Sequence, residues 1–136
     1  MALVIKVEFV LTGTRLSPDG IIHLLGITPV RTWQKGDSIQ DTKLRRKHNG
    51  WCLSIKGNEN SIDLADYITP LLEVLLPKSE LITDICREYE LDAEFSCVIY
   101  IKDEAPIINF STTNVINLAK LHAAIDVDII LTEMQT

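Results

Sequence analysis

Apolar and polar residues alternate over the first twelve positions of the chain. Every second residue from position 3 is apolar: Leu3, Ile5, Val7, Phe9 and Leu11. This period of two predicts a strand with one buried face, which ends at Gly13. The same period returns over residues 95–101 and 127–131 and predicts two further strands.

Helical spacing separates these strands. Ser17 and Pro18 form a typical helix start, and Gly26 is placed to end that helix in the left-handed conformation. Apolar residues at positions 64, 68, 71, 72 and 75 predict a second helix, in which Pro70 implies a kink or two short helices. Further helices are expected to start at Ser79 and near Ser111.

The middle of the chain, residues 27–55, begins with a segment that has neither the strand period nor the helix period. Residues 27–42 show no apolar period and are expected to form a loop, followed by a strand over residues 43–47. Asn49-Gly50 is a strong signal for a two-residue hairpin turn, and Trp51, Leu53 and Ile55 then predict the returning strand.

The predicted order of elements is therefore β-α-β-β-α-α-β-α-β. The chain has 136 residues and shows neither an internal linker nor a repeat, so a single domain over residues 1–136 is expected. Hairpin strands mixed with helices indicate the α+β class. We expect a two-layer domain: a twisted, mainly antiparallel or mixed sheet of about five strands with the helices on one face.

Charge is unevenly distributed along the chain. The formal net charge is −6, yet residues 31–56 hold seven lysines and arginines against two aspartates, and residues 57–136 hold four against fifteen acids. Three acids follow one another at four-residue spacing on one helix face: Glu80, Asp84 and Glu88. This face is a candidate binding surface for a basic protein, and the structural alternative is a surface that only keeps the protein in solution. Nucleic acid is not an expected partner, because no binding motif is present and most of the surface repels phosphate.

The second candidate site lies in the predicted loop. Trp33, Lys35, Gly36 and Asp37, set against Trp51, combine aromatic faces with a cation and a carboxylate that can hold a small ligand or a partner. The structural alternative is that Trp51 belongs to the core and Gly36-Asp37 is a turn. The basic run of residues 45–48 can likewise contact an anion or protect an edge strand.

Catalytic chemistry is not evident. His23, His48 and His122 lie in different elements without ligand spacing, so no metal or cofactor is expected and no catalytic residue is assigned. His122 either continues a helical apolar stripe or takes a left-handed conformation after the helix end. Three widely spaced cysteines without a Cys-x-x-Cys motif, and no long apolar run, favour a reduced, cytoplasmic protein that does not span a membrane.

Several short motifs carry a family resemblance. They are Leu25-Gly26-Ile27-Thr28-Pro29, Lys35-Gly36-Asp37, Gly50-Trp51 and Leu118-Ala119-Lys120-Leu121 followed by Ile125-Asp126-Val127-Asp128. With this spacing, nearly the whole chain resembles the bacterial family known as domain of unknown function 4279. The resemblance implies a small α+β domain and a bacterial cytosol, and it implies no activity.

Two functional hypotheses follow. The first is a non-catalytic protein-interaction module, for example an immunity-type inhibitor that neutralises a basic toxin through Glu80, Asp84 and Glu88. The second is a small-molecule binder or weak enzyme that uses the Trp33–Asp37 loop against Trp51. Outward apolar residues at Val4, Val10 and Ile130 also suggest a homodimer.

Overall fold

The computed structural model describes residues 3–55 and 60–132, which form one five-stranded sheet and four α-helices. The strands are β1 (Leu3–Gly13), β2 (Arg31–Trp33), β3 (Asn49–Leu53), β4 (Asp92–Ile101) and β5 (Ala124–Leu131). The helices are α1 (Pro18–Leu25), α2 (Ala65–Leu75), α3 (Ser79–Tyr89) and α4 (Thr112–Lys120), and a short 3₁₀ turn over Leu76–Lys78 joins α2 to α3. This is the element order that the sequence predicts.

The sheet is open and mixed, with the strand order β2-β3-β1-β4-β5. β1 lies at its centre and runs antiparallel to both β3 and β4, whereas the last strand, β5, runs parallel to β4. A parallel neighbour requires a crossover, and α4 with the segment before it provides this connection. The α+β class with helices on one face of a twisted sheet is confirmed.

The core lies between the sheet and the helices. The alternate residues of β1 from Leu3 to Leu11 are buried there, as the period of two predicts. Three aromatic residues meet at its centre, because the ring of Phe9 lies 6.4 Å from that of Trp51 and 5.3 Å from that of Phe95. All three are fully buried. Trp51 therefore belongs to the core, as its structural interpretation requires.

The helix ends follow the sequence signals. The Ser17 hydroxyl accepts a hydrogen bond from the Gly20 N–H at 3.3 Å, and Gly26 ends α1 with a φ of 68°. Ser111 caps α4 by accepting from the Asn114 N–H at 3.1 Å. His122 has a φ of 51°, so the left-handed alternative applies and the helix ends before it.

The expected hairpin turn at Asn49-Gly50 and the strand over residues 43–47 are wrong. Both turn residues are the first residues of β3, and the strand that precedes β3 in the sheet is β2, at residues 31–33. The side-chain amide of Asn49 donates to the Leu16 carbonyl at 2.9 Å, which fixes it to the chain between β1 and α1. A tertiary role for the asparagine thus replaces the local turn.

Pro70 does not divide the second helix. α2 runs continuously from Ala65 to Leu75 with the proline inside it. The N–H that proline lacks would have bonded to the carbonyl of Asp66, which is an exposed residue, so water can satisfy that carbonyl.

Candidate functional site

The segment between β2 and β3, residues 34–48, is an ordered arm rather than a structureless loop, and we call it the basic arm. Its two limbs are joined by main-chain hydrogen bonds from Gly36 N to Arg46 O and from Arg46 N to Asp37 O, both 2.8 Å. A third, from Ile39 N to Leu44 O at 3.0 Å, closes its tip. The arm therefore presents its side chains in a defined arrangement.

The two tryptophans of the proposed ligand site do not lie on the same surface. Trp33 stands opposite Gly50 in the β2–β3 ladder, and Thr32 stands opposite Trp51. Because successive side chains of a strand point to opposite faces, Trp33 lies on the outer face and Trp51 on the helix face. Trp51 is fully buried. The structure thus separates Trp51 from the other members of that set.

Trp33 packs flat against the start of β3. A methyl group built on Gly50 would lie 1.9 Å from Cε2 of its indole, so only glycine accommodates the ring there. On the same ring, the guanidinium carbon of Arg46 lies 4.4 Å from the centroid, which is a cation–π contact. The indole is thus held between the sheet and an arginine of the basic arm.

Lys35, Gly36 and Asp37 are exposed and form the turn that starts the basic arm. The Asp37 carboxylate accepts a hydrogen bond from the Gln34 N–H at 2.7 Å, and Gly36 has a φ of 93°. The Lys35 N–H donates to the Asn49 side-chain oxygen at 2.6 Å. These contacts give the three residues a structural role, and a binding role for them stays a prediction.

A shallow cavity of about 340 Å³ lies beside the basic arm. Its lining includes Trp33, Ile39, Leu44 and the whole basic run of residues 45–48. Within this run, Arg45 is fixed by a hydrogen bond to the Ser38 hydroxyl at 2.7 Å. The basic run is therefore gathered on one concave surface, which favours contact with an anionic group.

The sequence did not reveal a polar cluster on the outer face formed by Glu8, Arg31 and Cys52. The Arg31 guanidinium donates two hydrogen bonds to the Glu8 carboxylate, at 2.5 and 2.9 Å. The Cys52 thiol donates to the same carboxylate at 3.3 Å. The charged interruptions of β1 are the sequence signal that indicates an outer polar face, but no local pattern pairs residues that lie 23 and 44 positions apart.

This cluster is arranged so that its acid is charged and its thiol is not. Burial alone would raise the pKa of Glu8, but hydrogen bonds from Arg31 and Cys52 hold that pKa below its ordinary value. Burial, reinforced by the charge of Glu8, raises the pKa of Cys52 to about 12. A thiol in this state is a poor nucleophile at neutral pH. A cleft of about 420 Å³ opens next to the pair.

The acidic row of α3 consists of Glu80, Asp84 and Glu88, and all three side chains are exposed. Arg87 lies 3.6 Å from the Asp84 carboxylate, but both side chains are largely in solvent, so the pair is weak. The helix thus presents a negatively charged stripe to its surroundings.

A second group of acids lies on the outer face of β4 and β5. Burial, followed by the negative charges of Asp126 and Asp92, raises the pKa of Glu94. Asp126 and Asp128 stand opposite Ser96 and Val98 in the ladder, on the outer face as the sequence indicates. Among residues 3–55 and 60–132, no three His, Cys, Asp or Glu side chains converge in a way that could hold a metal ion.

The fold and its charges define a small α+β domain with an open mixed sheet, one basic projection and one acidic helix. The chain belongs to the family described as domain of unknown function DUF4279, whose model matches residues 4–132, so the resemblance read from the sequence is confirmed. No curated protein and no solved structure matches the chain. In the part of the chain that the structure describes, no helix is both long and apolar enough to cross a bilayer.

Proposed function

We propose that this chain is a non-catalytic protein-interaction module of the bacterial cytoplasm that binds a basic protein through the acidic row of α3. The observation that supports the proposal is the exposed stripe of Glu80, Asp84 and Glu88 on one regular helix. Residues i and i+8 of a helix lie ~12 Å apart, so the three carboxylates form a rigid line about the length of one extended basic tripeptide.

The stripe also carries a thermodynamic cost. Like charges four residues apart destabilise a helix by ~0.2–0.5 kcal/mol per pair, and two such pairs occur here. Arg87, with its weak pair to Asp84, offsets little of this repulsion. A basic partner would remove the repulsion on binding and would be steered to the surface by the field of the helix. An immunity-type inhibitor of a basic toxin fits this description.

A site-specific photo-crosslinker tests the contact directly. It replaces Arg87, whose side chain is 77% exposed between Asp84 and Glu88, and the matched control carries it at His23 on α1. We expect a basic protein to be crosslinked in cells from position 87 and not from position 23. An immunity-type role further requires that this partner arrests growth when it is produced without the chain.

Charge reversal then tests the chemistry. Asp84→Lys with Glu88→Lys is compared with Asp103→Lys and Glu104→Lys, which change the net charge equally in the exposed segment after β4. We expect the first pair to abolish salt-sensitive binding and the second to leave it nearly unchanged. Equal losses in both pairs would show a general charge effect, and unchanged binding in both would refute the role of α3.

The cavity beside the basic arm supports a second candidate, the binding of a small anionic molecule. Arg46 is already oriented by Trp33, and Arg45 by Ser38, so two guanidinium groups are positioned before any ligand arrives. Arginine binds phosphate and carboxylate groups well in such arrangements. In this version of the site, residues 45–48 replace Trp51 as the residues that face the ligand together with Trp33.

Pyrophosphate is a suitable probe for this candidate. We expect saturable quenching of indole fluorescence that disappears in Trp33→Phe, weakens in Arg46→Met and persists in Arg15→Met, whose arginine lies outside the basic arm. Trp51 provides an internal reference because it is fully buried. A signal that is linear with concentration up to several millimolar, or equal in all variants, would refute the site.

A further inference from the structure

The two edges of the sheet are protected very differently. The β2 edge has only three residues, and the basic arm continues from it. Two of the three, Arg31 and Trp33, are large and form a cation–π contact with each other. The β5 edge has eight residues without lysine, arginine or proline. Short strands, charged side chains and covering segments are the usual protection against edge-to-edge pairing. β5 is long, most of its residues are exposed, and its only charged side chains, Asp126 and Asp128, lie on the outer face of the sheet.

β5 also leaves apolar surface uncovered on the side where the core lies. Ile99 of β4 is fully buried, but Ile129, its neighbour across the ladder, is 48% exposed. Leu131 is paired with Ile101 and is 79% exposed. The helix layer therefore ends above β4, and the last strand presents the continuation of the core to solvent.

The backbone of β5 offers hydrogen bonds in a regular pattern. The Thr132 N–H donates to the Ile101 carbonyl at 2.8 Å, so the even-numbered residues turn their amides towards β4. N–H and C=O groups alternate between the two edges of a strand, and those of Val127, Ile129 and Leu131 consequently point outwards. These are the residues whose side chains lie on the helix side.

We propose that the β5 edge is a homodimer interface, at which a second copy of this chain pairs antiparallel across a two-fold axis at Ile129. Such pairing would join two five-stranded sheets into one continuous sheet, with both helix layers on the same side. Val127 would face Leu131 of the other copy, and Ile129 would face its own equivalent. The exposed apolar residues of one strand would thereby be covered by those of the other.

The aspartates exclude two of the alternative registers, and the length of the paired segment favours the axis at Ile129. Around a two-fold axis perpendicular to the sheet, opposed residues share a face, so one residue must lie on the axis. An axis at Val127 would set Asp126 against Asp128 twice, and an axis at Asp128 would oppose that residue to itself. Like charges directly opposite are destabilising. An axis at Ile129 opposes no acids and still pairs residues 126–132, with about six main-chain hydrogen bonds.

The interface is small, which determines how the dimer behaves. One strand edge and a few apolar side chains per copy fall at the low end of the ~1,200–2,000 Å² that stable complexes bury. We therefore expect reversible association in the micromolar range. Of the outward apolar residues named from the sequence, Ile130 lies on this strand, whereas Val4 and Val10 lie on β1, away from the edge.

Sedimentation velocity between 1 and 200 μM tests the proposal. We expect a concentration-dependent dimer that is at least tenfold weaker in Ile129→Lys and in Leu131→Lys, the latter at the more exposed position and so with less risk to folding. The matched control is Leu24→Lys, which also exchanges an exposed apolar residue for lysine, on α1. A monomer at every concentration, or a dimer weakened equally by Leu24→Lys, would overturn the proposal.

Disulfide formation tests the axis itself. In a Cys86→Ser background, cysteine is introduced singly by Val127→Cys, Asp128→Cys and Ile129→Cys. Only a residue on the axis meets its own equivalent at the Cα separation of ~5.5 Å that a disulfide accepts. We expect Ile129→Cys to crosslink fastest under mild oxidation. Faster crosslinking at either of the other positions would overturn the register, and crosslinking at none would overturn the pairing.

Discussion

Replacing Gly50 by alanine tests the packing of Trp33. The new methyl group would lie 1.9 Å from Cε2 and 2.1 Å from Cζ2 of the indole, so the ring has to leave its position. Gly50 lies inside β3 without a positive φ, and alanine suits the backbone there. The substitution therefore acts on the ring and on the Arg46 contact above it, and not on the strand.

The magnitude follows from the area that the indole loses. A buried aromatic side chain covers ~150–250 Å², and Trp33 is partly exposed, so about half of this is at stake. At ~25 cal/mol/Å², this is ~2–3 kcal/mol. The lost cation–π contact adds ~0.5–1 kcal/mol, and replacing glycine within a strand returns a similar amount. We expect Gly50→Ala to lower the free energy of unfolding by ~2–3 kcal/mol.

Urea unfolding followed by far-UV circular dichroism measures this loss. With a slope of ~1–3 kcal/mol/M for a small domain, the midpoint should fall by about 1 M or more. The same change is then made in Trp33→Ala, where no ring is present to displace. We expect its cost there to fall below ~0.5 kcal/mol, because residues in contact give non-additive effects. An equal cost in both backgrounds would refute the packing of Trp33 on Gly50.

Three further predictions concern other parts of the molecule. The pKa of Glu8 is lowered in the folded state, so the stability that Glu8 contributes is present above the unfolded value near 4.5 and is lost as the pH falls. Arg31→Met reverses the shift of this pKa, since burial then dominates, and in urea unfolding it should cost more free energy of unfolding at pH 7 than at pH 3. The control, Arg87→Met, should show no such difference between the two pH values. Burial raises the pKa of Cys52 and of Cys97 to about 12, and that of Cys86 to about 11. Iodoacetamide at pH 8 should therefore label none of the three thiols rapidly until urea is added, and fast labelling of Cys52 in the folded protein would contradict its contact with Glu8. His122→Gly should raise the free energy of unfolding by ~0.5–1 kcal/mol because His122 has a φ of 51°, and His122→Ala, measured in parallel, should give no such gain.

The sequence predicts those parts of the fold that depend on local periods and caps. β1, the Ser17 and Ser111 caps and the left-handed Gly26 follow from rules that involve a few neighbouring residues. The turn at Asn49-Gly50 fails because its two residues serve distant partners: Asn49 bonds to the carbonyl of Leu16, and Gly50 accepts the indole of Trp33. No local rule contains either contact.

The candidate sites divide in the same way. Helical spacing places Glu80, Asp84 and Glu88 on one face, and the structure leaves them exposed as the spacing indicates. The separation of Trp33 from Trp51 depends on the register between β2 and β3. The sequence pattern places the second strand at residues 43–47, so this register could not be predicted. The exposure of β5 was equally hidden, because an alternating apolar pattern does not show whether a helix covers it.

The position of β1 at the centre of the sheet has a consequence for the synthesis of the chain. β1 leaves the ribosome before the other strands, yet both of its edges must be filled, by β3 on one side and by β4 on the other. About eighty residues separate β1 from β4, which corresponds to ~4–16 s of translation at 5–20 residues per second. Throughout this interval the central strand of the sheet has an unpaired edge. Nascent chains that stop before residue 92 should therefore bind chaperones or aggregate, and release of the completed β4 should end that exposure.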